Sequence, residues 1–384
     1  MMPSRRDFLR VGAGALTAAM PWRLAADGPP SLESSPGAPD HGLILLYSNE
    51  NSYGPSVKVL DAITSAAQNS QNSNRYPRMR YNPLAEKIAG VHHVSPDRVL
   101  LGCGSTEILR MAACAFLGNG KQLLHASPTF EAIGHYAASV DSEIIAVPLT
   151  SAFAHDLDAM LGRVGSSTRL VYICNPNNPT ASLTPRKDLE TFISKLPAST
   201  LVVLDEAYHH YAGASGMYAS FLDHPFDDQK LIVVRTFSKV YGLAGLRLGY
   251  AIAAPKLIQQ MRRFATQDDV NAIATESAAV ALDDAEGVND FIQRNANDRQ
   301  EFFNQAMARA LKPIDSHANF VMMNTFHPAE DVIQHFRKNN ILIGRQFPPM
   351  DTYIRVSLGR PEEMLAFWET WDLLPWAKNL MTHH

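Results

Sequence analysis

Leu201-Val202-Val203-Leu204-Asp205-Glu206-Ala207-Tyr208 and Leu231-Ile232-Val233-Val234-Arg235-Thr236-Phe237-Ser238-Lys239 share one layout, a short unbroken apolar run that ends in polar, chemically useful side chains. An apolar run without alternation suits a strand buried on both faces, as in a parallel sheet covered by helices. Three further runs repeat the layout: Val99-Leu100-Leu101 before Gly102-Cys103-Gly104-Ser105-Thr106-Glu107, Gln122 to Ala126 before Ser127-Pro128-Thr129-Phe130, and Leu170 to Cys174 before Asn175-Pro176-Asn177-Asn178-Pro179-Thr180. Helix-length segments separate them, so the fold reads as α/β, a mainly parallel sheet with helices on both faces. Ligands of open α/β sheets bind outside the carboxyl ends of the strands, and the five polar loops are therefore expected to converge on one site.

Working outward, the chain changes character after Gly287. A charged helical stretch (Phe291 to Ala310) precedes strand-like Asn319-Phe320-Val321-Met322-Met323 and Tyr353-Ile354-Arg355-Val356-Ser357-Leu358. This predicts a smaller α+β domain over 288–384, joined by an N-terminal segment over 41–75, beside a larger domain over 76–287 with the cleft between them as the site. At the start, Ser4-Arg5-Arg6-Asp7-Phe8-Leu9-Arg10, the weakly apolar Val11 to Met20 and the small residues Ala25-Ala26 resemble a twin-arginine (Tat) export signal. The Pro/Gly/Ser-rich stretch from Asp27 to Asp40 reads as a linker, so residues 1–40 are expected to be signal and linker, with a periplasmic or extracellular enzyme beyond them. The apolar stretch is far short of the roughly 18 residues that cross a bilayer, so no membrane residence is expected after export.

The 384 residues are 46% hydrophobic and 19% charged, with a formal net charge of −4. Two domains of ordinary globular composition are expected at that length. No block of about five or six Lys and Arg appears, which argues against nucleic acid or an anionic lipid surface as partner. Cys103, Cys114 and Cys174 are an odd set without metal-like spacing and read as buried free thiols. His92-His93 and His209-His210 lack a framework of carboxylates or cysteines, and no metal site is assigned.

The candidate residues each admit a plain reading when taken alone. Gly102 to Thr106 is either a tight turn or a cradle of backbone N–H groups for a single phosphate; it lacks the spacing of a nucleotide loop. Asp205 either caps the next helix or meets a positive charge, such as a pyridinium N–H, at the end of its apolar strand. Ser238-Lys239 alone is a surface pair, yet a desolvated lysine after an apolar strand has a lowered pKa and serves as a Schiff-base nucleophile and proton carrier.

Together these residues resemble the class I/II, fold-type I aminotransferases, and most closely the histidinol-phosphate aminotransferase group. The resemblance runs from about Tyr47 to Gly359 and rests on Ser48-Asn49-Glu50-Asn51-Ser52-Tyr53-Gly54-Pro55, Arg75-Tyr76-Pro77, the Asn177-Asn178-Pro179-Thr180 loop, Asp205-Glu206-Ala207-Tyr208, Ser238-Lys239 with Arg247, and Arg355. It implies a pyridoxal 5'-phosphate cofactor in the larger domain, with Lys239 as covalent anchor and as the base and acid that shuttle a proton. Asp205 would hold the pyridine nitrogen protonated. Tyr208 and Asn178 would flank the ring's phenolic oxygen, and Phe130 would stack on its face. Ser105, Thr106, Ser238, Arg247 and a neighbouring subunit's Tyr76 would hold the phosphate, which implies a homodimer. Arg355 would fork onto a substrate carboxylate, with Tyr53, Asn178 and Arg345 as further substrate contacts; Arg345 also admits a purely structural reading. Two departures stand out. Ala181 replaces the family's usual glycine, which asks that turn to avoid positive φ, and an exported chain does not suit cytoplasmic histidine biosynthesis.

The implied activity is ping-pong transfer of an amino group between an amino acid or amine and a keto acid or aldehyde. The same scaffold also serves decarboxylases, lyases and racemases, which the carboxylate-holding Arg355 disfavours. An exported binding protein without turnover is disfavoured by intact Lys239, Asp205 and Tyr208.

Overall fold

The computed structural model describes residues 42–77, 81–223 and 229–377. The twin-arginine stretch and the linker lie outside the described residues.

The strands in chain order are β1 (Ile44–Leu46), β2 (Val99–Gly102), β3 (Gln122–Ser127), β4 (Glu143–Pro148), β5 (Thr168–Cys174), β6 (Leu201–Asp205), β7 (Leu231–Thr236), β8 (Gly249–Ala253), β9 (Lys312–Pro313), β10 (Phe320–Asn324), β11 (Ile341–Ile343) and β12 (Tyr353–Ser357). Seven of them form one sheet in the order β2-β8-β7-β6-β5-β3-β4. All pairs in it are parallel except those of β8, which runs antiparallel to both β2 and β7. The five apolar runs are β2, β3, β5, β6 and β7, and the fold is the α/β one that they predict.

Both faces of this sheet are covered, which is why its inner strands carry no alternation. On one face Tyr172, Val203 and Ile232 pack under the helix Gly104–Phe116 with Ile108 and Ala112. On the other, Ile173, Val202 and Val233 pack under the helix Arg186–Lys195 with Leu189 and Phe192. A third cluster joins Leu101 and Ile252 to the helices Tyr81–Val91 and Ala272–Asp283.

The C-terminal part has its own core, in which Phe302, Phe336, Phe367 and Trp371 close on Val321, Ile354 and Val356. Its sheet is antiparallel, in the order β12-β10-β9. β1 pairs in parallel with β11, so the start of the described chain is built into the C-terminal core. The helix expected over Phe291 to Ala310 spans Ala285–Ala308.

Two expectations need correction. Ala181 adopts φ of +59° despite its Cβ. The turn is over-determined: the Ala181 N–H donates to the Asn177 carbonyl at 2.8 Å, and its carbonyl accepts from the His317 N–H at 2.8 Å. These bonds and full burial fix a conformation that an alanine disfavours. The three thiols are all free, but only Cys174 is buried. Cys103 and Cys114 are half-buried, because one precedes the helix Gly104–Phe116 at the sheet edge and the other lies at the margin of that helix's apolar stripe.

Candidate active site

The carboxyl ends of the parallel strands set the site. Cys174 at the end of β5 stands in register with Asp205 at the end of β6. Gly102, Gly249 and Thr236 form one row across β2, β8 and β7, so the loops after β2 and β7 open at the same edge. The loop after β3 is tied to the loop after β5 by Asn177, whose Oδ1 accepts from Thr129 at 2.7 Å and whose Nδ2 donates to the Pro128 carbonyl at 3.1 Å. The polar loops therefore share one cleft.

Asp205 is buried and has two donors: the Tyr172 hydroxyl at 2.9 Å from Oδ2 and the Ala207 N–H at 3.1 Å from Oδ1. Burial pushes its carboxyl up to about 6, against the pull of the Tyr172 bond. Neither donor is a cation. A protonated ring nitrogen is the partner that such a carboxylate lacks.

Lys239 is half-buried and makes no carboxylate bond. Its Nζ donates to the carbonyls of Asn49 at 2.9 Å and Ser48 at 3.2 Å, and lies 5.5 Å from the centre of the Tyr208 ring. Burial, and then the nearby charge of Arg355, bring its amine down to about 8. An amine so placed is a nucleophile near neutral pH. The Tyr208 hydroxyl accepts from the side-chain amides of Asn49 at 3.1 Å and Asn178 at 3.4 Å. Its own proton is held tightly, because burial drives the phenol far above its ordinary range.

Beside these, the helix Gly104–Phe116 points its N-terminus into the cleft with Ser105 and Thr106 in its first turn. Gly104 adopts φ of +75°, and a Cβ there would fall 2.5 Å from Nη2 of Arg247. A Cβ on Gly249 would strike the backbone N of Ser105. The two glycines thus keep Arg247 and the helix N-terminus together, a pairing of N–H groups and guanidinium that suits a phosphate. Ser238, buried, lines a pocket with Asn51, Gly242 and Gly245.

Arg355, on β12, reaches over from the C-terminal sheet. It is buried, and its hydrogen-bond partners among the described residues are neutral oxygens: Asn178 Oδ1 at 2.7 Å and the Tyr47 carbonyl at 2.6 Å. Burial lowers its guanidinium to about 10. A buried cation held only by neutral acceptors is a seat for an anion. Phe130 packs half-buried at the rim of the large-sheet core. Arg345 is half-exposed and pairs with Glu131 at 2.5 Å. Tyr53 turns elsewhere, since its hydroxyl donates to Asp298 at 3.0 Å on the long helix Ala285–Ala308. Tyr76 is 78% exposed.

The residues present fit pyridoxal phosphate as a set: an amine nucleophile, a carboxylate without a cation, two amides converging on a phenol and a phosphate cradle. The model of the class I and II aminotransferases matches residues 41–368. This chain belongs to that family. Histidinol-phosphate aminotransferase of Bacillus cytotoxicus is 34% identical to it over 344 residues, which are 89% of this chain and 90% of that protein. The enzyme of the same name from Moorella thermoacetica is 34% identical over 327 residues, 85% and 83% of the two chains. The crystal structure of histidinol-phosphate aminotransferase from Sinorhizobium meliloti in complex with pyridoxal-5'-phosphate is similar at a TM-score of 0.80 and 27% identity, covering 88% of this chain and 91% of that one.

Sequence reasoning missed three residues of this aminotransferase site. Asn49 lies within the quoted Ser48 to Pro55 motif, yet only the fold shows its amide on Tyr208 and its N–H donating to the Ser357 hydroxyl at 2.8 Å. Tyr172 sits mid-strand in an apolar run and reads there as core. Asn319, just before β10, donates to the carbonyls of Asn49 and Glu50, both at 3.0 Å, and so fixes the N-terminal segment over Lys239.

Proposed function

We propose that this aminotransferase moves an amino group between an amino acid or amine that carries an anionic group and a keto acid or aldehyde, in a two-step ping-pong cycle on pyridoxal 5'-phosphate. The observation that carries the reading is the convergence of Lys239, Asp205, Tyr208 and Arg355 at one cleft, with Asp205, Tyr208 and Arg355 buried and Lys239 half-buried. Lys239 would anchor the cofactor, with Ser105, Thr106, Ser238 and Arg247 around its phosphate. Bound there, pyridoxal phosphate supplies an electron sink for the electron pair left when a Cα–H bond breaks. Asp205 would hold a proton on the ring nitrogen, and the Tyr172 and Ala207 donors keep its oxygens oriented. Nζ of Lys239 moves the substrate proton, helped by an amine that is partly neutral at physiological pH. Arg355 grips a carboxylate or other anion that stays on the substrate, which favours transamination over loss of that carboxylate.

Reduction of the cofactor-loaded protein with borohydride, followed by mass analysis, should place the pyridoxyl group on Lys239. Lys239→Ala should keep the fold and lose turnover by more than about 10³-fold, since both the anchor and the proton carrier are gone. Retained turnover in that variant would sink the reading.

The same reading takes the enzyme as a homodimer in which Tyr76 completes the phosphate site across the interface; its exposure supports this, and sedimentation of the loaded protein tests it. Export through the Tat pathway rests on Arg5-Arg6 and the residues after them. Replacing both arginines by lysine should leave the protein in the cytoplasmic fraction.

A further inference from the structure

Resting on the aminotransferase reading, the mouth of the site carries a second cation whose availability is controlled. The guanidinium carbon of Arg355 lies 4.7 Å and that of Arg345 4.3 Å from the centre of the Phe347 ring. The two carbons are therefore at most 9.0 Å apart, the sum of those distances. Their partners differ in kind. Arg355 meets only neutral oxygens, whereas Arg345 donates to Oε2 of Glu131 at 2.5 Å and to the Gln346 carbonyl at 2.8 Å. Glu131 follows Phe130, the residue whose ring is expected against the cofactor, and opens the helix Ala132–Ser139. Both Arg345 and Glu131 are close enough to act electrostatically on Arg355.

We propose that Glu131 is a specificity-determining residue: it occupies Arg345 as an internal anion, so that the site takes substrates with one anionic group on Arg355 and admits a second anionic group only in competition with Glu131. The pair is half-exposed on both sides, and such pairs are weak and readily exchanged. A dicarboxylic substrate must displace Glu131 and then sit beside the carboxylate it has displaced. A monocarboxylic substrate disturbs nothing at Arg345.

The test uses the holoenzyme and two unreactive probes, glutarate with two carboxylates and butyrate with one, their dissociation constants measured by calorimetry without turnover. Glu131→Gln should tighten glutarate by roughly 5-fold and move butyrate by less than about 2-fold. In an Arg345→Gln background the Glu131→Gln gain should vanish, because the cation it frees is absent. Equal shifts for both probes, no shift for either, or a gain that survives in the Arg345→Gln background would overturn the role of Glu131 while leaving the aminotransferase reading intact. Wild-type holoenzyme that binds neither probe would overturn Arg355 as the anion seat, and the role of Glu131 with it. Glu131→Ala, run in parallel, should reproduce the glutarate effect.

Discussion

Among the described residues Lys239 hydrogen-bonds to backbone carbonyls alone, and burial brings its amine down to about 8 from an ordinary 10.5. The neutral form is the one that attacks a carbonyl, so uptake of pyridoxal phosphate by the stripped enzyme should rise with pH and level off above about 8. An absorbance time course across pH checks this; a rate still climbing at 10 would show an unperturbed lysine. The sign for stability agrees: between 8 and 10.5 the unfolded chain binds more protons than the folded one, so the stripped protein gains stability as pH rises through that window. At Asp205, Tyr172→Phe removes a donor that favours the carboxylate, and the carboxyl should rise further above 6. Turnover should fall by about 10-fold near neutrality, with the acid limb of the pH profile displaced upward. An unmoved limb would reduce Tyr172 to packing. Lys239, Asp205 and Tyr208 were legible because polar side chains at the ends of apolar strands are conspicuous. Tyr172 and Asn49 were not, since one looks like core and the other acts through contacts between residues 159 apart in sequence.

Among elements, the inner strands were legible because burial on both faces removes alternation. The edge strand β4 was not. Its pattern alternates, with Ile145 and Val147 buried and the residues between them exposed, as a strand half open to solvent does. β8 escaped too: Gly249-Tyr250-Ala251-Ile252-Ala253 runs antiparallel to β7 after the long return over residues 237–248, a reversal that no periodicity announces. The turn after β5 shows how local preference yields to its surroundings. Ala181 holds φ of +59°, where an L residue with a Cβ loses roughly 1–2 kcal/mol. Ala181→Gly should recover that, less roughly 0.5–1 kcal/mol of added freedom in the unfolded chain. A net gain of about 0.5–1 kcal/mol, read as a higher urea midpoint, is expected. A loss would mean that the Ala181 methyl, buried beside Tyr208 and Phe320, matters more than the turn.

Across the whole molecule, the site draws on three stretches of chain: the large sheet gives Asp205 and the loop carrying Lys239, the N-terminal segment gives Asn49, and the C-terminal part gives Arg355 and Asn319. A ligand that touches all three should tie them together. Pyridoxal phosphate at about 100 times its dissociation constant should stabilise the protein by about 2.7 kcal/mol, visible as a raised melting temperature that depends on cofactor concentration. A melting temperature indifferent to the cofactor would contradict the assignment of the cleft. The pairing of β1 with β11 also has a temporal side. Ile44 to Leu46 emerge early from the ribosome, yet their partners Ile341 to Ile343 are made about 300 residues later, roughly 15–60 s at common elongation speeds. Until then the segment bearing Asn49 lacks its β11 pairing and its bonds to Asn319 and Ser357. The nascent chain thus carries a complete lysine loop and no working catalyst, and activity arrives only as the final stretch clears the exit tunnel.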